Sequence, residues 1–253
     1  MTSTLDADLA TLSTIRIFFG HQSVGANILA GLADLLKGKT HPVVVLEHGA
    51  GAPLPPAFLL HAKVGRNEHP LTKCEQFRRI LDEELAGHID VALLKFCYID
   101  INEHTDVDAL FAAYRSALDD LARRHPGIAF VHVTAPLRHT PSGLGVLARE
   151  MLGRPNRVKL ANIRRNRFND HVRQVYAGTR LFDLAASQST HPDGRRETFR
   201  KDGTTYETLI GAYTDDGGHL NETGRLVVAR DLVRCLAAVA RERQAPAQGP
   251  AAW

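Results

Sequence analysis

Short apolar runs alternate along the chain with longer stretches in which apolar residues recur every three or four positions. The first run, Ile15 to Phe19, is β-branched and aromatic and stops at Gly20, which predicts a strand. Ile28, Leu32, Leu35 and Leu36 then fall on one face of a helix. Val43 to Leu46 predicts a second strand, closed by His48-Gly-Ala-Gly51. Cys74 to Leu85 predicts a helix with Phe77, Ile80, Leu81 and Leu85 inward, and Ile89 to Leu94 a third strand. A helix over Val107 to Ala122 keeps Leu110, Tyr114, Leu118 and Leu121 in register, and Ile128 to Val133 predicts a fourth strand. Arg167 to Tyr176 reads as helix and Leu181 to Leu184 as a short fifth strand. The last helix starts from a cap at Asn221 and runs to about Arg241. Strands alternating with helices predict a three-layer α/β/α sandwich around a mainly parallel sheet of about five strands.

Two connections, Arg138 to Asn166 and Ala186 to Asp215, are longer than such units need, and long connections tend to be functional. The second is expected to border the site. The tail from Gln244 to Trp253 is small, polar and proline-bearing and reads as disordered, which leaves residues 1–243 as one domain.

Composition narrows the class. Of 253 residues, 44% are hydrophobic and 23% charged, which is ordinary globular usage. No run of 18 apolar residues exists, so no membrane-spanning helix is expected. The polar, acidic start from Met1 to Asp8 lacks a basic-then-apolar leader, and a cytoplasmic location is the expectation. Cys74, Cys97 and Cys235 are too scattered for a disulfide framework or a metal knuckle. A net charge of +3 does not point to nucleic acid. The thirteen histidines show no metal-ligand spacing, so neither metal nor other cofactor is expected. The arginines between Arg154 and Arg173 read as a solvated helix face, with grip on an anionic substrate as the alternative. Cys97 reads as a small buried residue.

Sites in such sheets form beyond the carboxyl ends of the strands. After the first strand stands Gly20-His-Gln-Ser-Val-Gly25, which places Ser23 where a helix begins. Backbone N–H groups there favour negative charge and could hold an oxyanion while the serine attacks a carbonyl. From this segment alone Ser23 reads as a helix cap, which serines are more often than nucleophiles. Before the last helix stands Tyr213-Thr-Asp-Asp-Gly-Gly-His-Leu-Asn221. His219 could serve as general base and Asp216 could orient it, or the segment could be a polar turn.

Taken together, the serine after the first strand and the Asp-x-x-His before the last helix resemble the SGNH (GDSL-like) hydrolase family. Asn169-Asp-His-Val-Arg and Leu181-Phe-Asp-Leu-Ala185 add to the resemblance, which spans Ile15 to about Leu236. It implies a flavodoxin-like sandwich, with Ser23 as nucleophile, His219 as base and Asp216 as its partner. The implied reaction is hydrolysis of a small acyl ester, with O-acetyl groups on carbohydrates among the substrates. An acyltransferase would use the same residues, and a binding module could keep the fold without turnover. The first block has His21-Gln22 where the family has aspartate. In the third block, Ile99 stands where the family places an oxyanion-hole asparagine, if Asp100 matches its final aspartate. Lys95 and Asn102 are the candidate replacements, a Lys95–Asp100 ion pair being the structural alternative. Gly51 or Gly49 would supply the second block's N–H.

Overall fold

The computed structural model describes residues 4–39, 43–51, 53–141, 152, 155–178 and 180–245. In β1 (Arg16–His21), Ile17 and Phe19 point to one face of the central sheet and Phe18 to the other, and all three are buried. The same two-sided burial recurs in β4 (Val91–Leu94), with Val91 and Leu93 opposite Ala92 and Leu94. A strand buried on both faces belongs in a parallel sheet covered by helices. Among the described residues the sheet has six strands, one more than the sequence predicts, in the order β2-β3-β1-β4-β5-β6 and parallel throughout. The others are β2 (Val45–Glu47), β3 (Phe58–Lys63), β5 (Ala129–Val133) and β6 (Leu181–Phe182). The additional strand is β3. It follows prolines at 53, 55 and 56, and its Phe58, Leu59 and Leu60 are buried between β2 and β1.

One face is covered by α1 (Thr4–Leu12), α2 (Ser23–Leu36) and a C-terminal helix, the other by α3 (Pro70–Glu83), α4 (Val107–Arg124) and α5 (Arg157–Val175). The long second connection holds α6 (Leu184–Ser189) and a hairpin of β7 (Thr198–Lys201) with β8 (Thr204–Glu207). The C-terminal helix, α7 (Glu222–Gln244), is capped by the Asn221 side chain, which accepts the Gly224 N–H. The sequence read as a tail from Gln244 lies from 246 onward outside the described residues.

Helices α2 and α7 approach at Gly31. A Cβ there would meet the Arg225 carbonyl oxygen at 2.2 Å and the Ala229 Cβ at 3.0 Å. Gly31→Ala must therefore separate two helices whose ends carry Ser23 and His219. A loss of about 1–3 kcal/mol is expected, the usual cost of overpacking. Urea unfolding would measure it, and an unchanged midpoint would contradict this contact.

Candidate active site

The chain lays strands on either side of β1, with β3 against one edge and β4 against the other. The carboxyl end of β1 is therefore the point where the winding reverses, and open α/β sheets place their ligand crevice there. Ser23 is the first residue of α2, directly past it. Gln22, not Ser23, occupies the cap position, and its backbone is extended. The Gln22 side-chain amide instead donates to the carbonyls of Val64 and Gly65, at 2.9 and 3.0 Å. Capping is thus not what Ser23 does. Its hydroxyl points to the turn before α7. Gly25 is needed by its neighbour, because a Cβ there would lie 2.3 Å from the His21 Cβ.

The turn before α7 is built around one carboxylate. Asp216 Oδ1 accepts the N–H groups of Gly218 and His219, each at 2.8 Å. Its Oδ2 lies 2.6 Å from His219 Nδ1. Gly217 allows the tight path with φ of +80°. His219 Nε2 in turn lies 3.0 Å from Ser23 Oγ, bridging 196 positions of sequence. The hydrogen bond from His219, helped by the two backbone donors, holds the Asp216 carboxyl well below the usual carboxylate range, so it stays charged. Asp216 is 55% exposed and His219 40%, so the hydrogen-bonded pair is open to solvent. The Leu220 N–H donates to Asn27 Oδ1 at 3.2 Å, which ties the turn to α2.

After β4 the chain makes a short turn over Tyr98–Asp100. Asp100 is buried and organises it. One carboxylate oxygen accepts the Cys97 N–H at 2.6 Å and the Lys73 ammonium at 2.5 Å, the other the Glu68 N–H at 2.9 Å. The partner expected for Asp100 is therefore corrected: it is Lys73 of α3, with both side chains at 0% exposure, and not Lys95. Lys95 is itself wholly buried and donates to the Phe96 carbonyl at 2.9 Å. Burial lowers its affinity for a proton. An ammonium enclosed in this way does not line the crevice, which overturns its expected place facing Ser23. Asn102 is also placed elsewhere: it closes a local turn, accepting the His104 N–H. Gly51 sits in an exposed loop after β2, and β3 separates that strand from β1. Ile99 is 38% exposed at the outer side of the turn.

Tyr98, which the sequence reading passed over, and several residues it placed elsewhere surround the site. Cys97 Sγ is 3.7 Å from Ser23 Oγ. The Tyr98 hydroxyl is 3.5 Å from His219 Nε2, its ring edge-on to the imidazole. Arg165, buried in α5, donates to the Tyr98 carbonyl at 2.8 Å. Arg173 pairs with Asp183 and Glu207, so two of the arginines expected on a solvated face hold loops instead. Asn169 clamps the backbone of Ala135 from both sides, at 2.7 and 3.0 Å.

Two histidines near or under the sheet ends set the acid limit of the fold. Burial lowers His21 to about 3 and His132 to about 4. The unfolded chain titrates near 6.5, so below that pH it binds more protons and stability falls as pH falls toward these values. At pH 5 each ring is expected to cost up to about 2 kcal/mol. Urea midpoints measured from pH 7 to pH 5 should drop, and His21→Gln should flatten the drop. A parallel slope in the variant would exclude His21 as a cause.

No protein-family model matches the sequence, and no curated protein matches it. Solved structures do share the fold. A protein from Streptococcus pneumonia, provisionally described as a platelet activating factor, superposes with a TM-score of 0.51 at 16% identity, over 93% of this chain and 92% of its own. A Desulfitobacterium hafniense DCB-2 protein, provisionally described as lipolytic and of the G-D-S-L family, gives 0.47 at 9% identity, over 88% and 99%. A provisionally described SGNH hydrolase from Slackia heliotrinireducens gives 0.47 at 16%, over 88% and 99%. The chain is thus similar in fold, at low identity, to the Streptococcus pneumonia protein.

Proposed function

We propose that this chain is a divergent SGNH-type serine hydrolase that cleaves a small acyl ester through an acyl-enzyme. The observation that carries the reading is the continuous hydrogen-bonded line from Ser23 Oγ through His219 to Asp216 at the mouth of the crevice. Ser23 Oγ attacks the acyl carbon while His219 Nε2 takes its proton. Asp216 holds Nδ1–H, which fixes the tautomer and stabilises the imidazolium. The oxyanion forms against the first turn of α2, where the Ser23 N–H has no acceptor within the helix. His219 then protonates the departing alcohol, and water, activated by the same nitrogen, releases the acid. O-acetyl groups on carbohydrates are the substrates we favour within this class.

A fluorophosphonate probe tests the reading directly, since it bonds only to an activated serine. Labelling should map to Ser23 and vanish in Ser23→Ala. A wild-type protein that takes no label would refute it.

A further inference from the structure

We propose that Tyr98 is the leaving-group donor of this site, its hydroxyl hydrogen-bonding the alcohol oxygen as the acyl–oxygen bond breaks. The inference rests on the serine-hydrolase reading above and deepens it.

The position of the hydroxyl carries the argument. It lies 3.5 Å from His219 Nε2, and Ser23 Oγ lies 3.0 Å from the same nitrogen. In acyl transfer to a serine, the alcohol oxygen must come within hydrogen-bond reach of the nitrogen that will protonate it. A hydroxyl beside that nitrogen reaches the same oxygen. The carbonyl oxygen goes elsewhere, to the first turn of α2.

Three contacts hold Tyr98 there. A Cβ at Gly218 would come within 2.9 Å of its ring and 3.1 Å of its hydroxyl, so only glycine leaves room. Arg165 fixes the Tyr98 carbonyl, and the Arg138 guanidinium lies 5.4 Å from the ring centroid. The side chain is half-buried, so a substrate can reach it. Burial, with the Asp216 charge nearby, raises the phenol above its ordinary value, and the hydroxyl keeps its proton as a donor.

The step balances without Tyr98 giving up that proton. The Ser23 Oγ–acyl bond forms and its proton moves to Nε2. The acyl–alcohol bond then breaks, its electron pair stays on the alcohol oxygen, and the Nε2 proton follows. The Tyr98 hydrogen bond strengthens as charge grows on that oxygen. In deacylation, water takes the alcohol's place.

A donor to the leaving group matters more as the leaving oxygen becomes more basic. Tyr98→Phe is therefore tested on a series of aryl acetates from p-nitrophenyl to phenyl and methoxyphenyl acetate. The readout is kcat/KM, which reports acylation, normalised to the fraction that a fluorophosphonate titrates. The loss should grow along the series, and phenyl acetate should lose about 10- to 100-fold, the scale of a hydrogen bond to a developing charge. The ratio of losses between the ends of the series should be about tenfold. Equal losses on every ester would mean an oxyanion or structural role and would overturn the inference, as would no loss on any. Melting temperature recorded beside the rates separates misfolding from chemistry. A wild-type chain that neither labels at Ser23 nor cleaves these esters would instead sink the serine-hydrolase reading. Loss of activity in Ser23→Ala together with a flat Tyr98→Phe series would sink only this one.

Discussion

Ser23→Ala is expected to lower kcat by about 10⁶-fold while the melting temperature stays near wild type, because nucleophile and base act as a unit. His219→Ala should fall to a similar level. The double variant should be no worse than either single one, since whichever is removed first disables the other. Asp216→Asn should cost at most about 10⁴-fold through a misdirected imidazole. Its half-exposed carboxylate lets water stand in as a poor acceptor, which makes the smaller end of that range the expected one. Steady-state kinetics on a fluorogenic acetate measures all four variants. A Ser23→Ala protein with wild-type turnover, after separation from any contaminating esterase, would end the assignment.

Asp100→Asn should have the largest effect on stability. The substitution leaves the Lys73 ammonium buried without a counter-charge. It also leaves one amide oxygen to serve the N–H groups of Cys97 and Glu68, which now bond to separate carboxylate oxygens. Breaking a buried pair from one side costs about 3–5 kcal/mol. In a chain of this size that corresponds to a drop in melting temperature on the order of 10 °C. Lys73→Met in the Asp100→Asn background should recover part of the loss, because the unpaired charge goes with it. Calorimetry decides the matter. A double variant no more stable than Asp100→Asn alone would show that the carboxylate's backbone contacts, not the charge, carry its weight.

What the sequence reveals depends on whether a signal is local. Ser23 follows a β-branched run and Asp216 and His219 sit three apart before a capped helix, so their neighbourhoods are legible from composition and turn residues. The Lys73–Asp100 pair is not, because 27 positions separate the partners and only the α3 packing joins them. A clue was present all the same. Lys73 stands four residues before Phe77 and seven before Ile80, on the apolar face of α3. A lysine on such a face needs a buried partner, and Lys95, at the end of an apolar strand, looked the more conspicuous candidate. Strand β3 carries no local mark of that kind, since its six residues follow directly on a proline-rich stretch. Tyr98 lies in a turn with no periodicity to read, and only the fold brings it to His219.

The closeness of α2 and α7 at Gly31 also governs when the site can exist during synthesis. Helix α2 is made well before α7, and its Ile28, Leu29 and Leu32 share a core with Val228, Leu232 and Val233, about 200 positions further along the chain. Until α7 arrives, only α1 and α2 cover that side of the nascent sheet, and Ser23 lacks His219 beside it. Contacts so distant in sequence form slowly and leave apolar surface open to other chains in the meantime. A ribosome paused before residue 219 would carry a sticky intermediate with the Ser23–His219 contact unmade, and both deficits would end together when α7 docks.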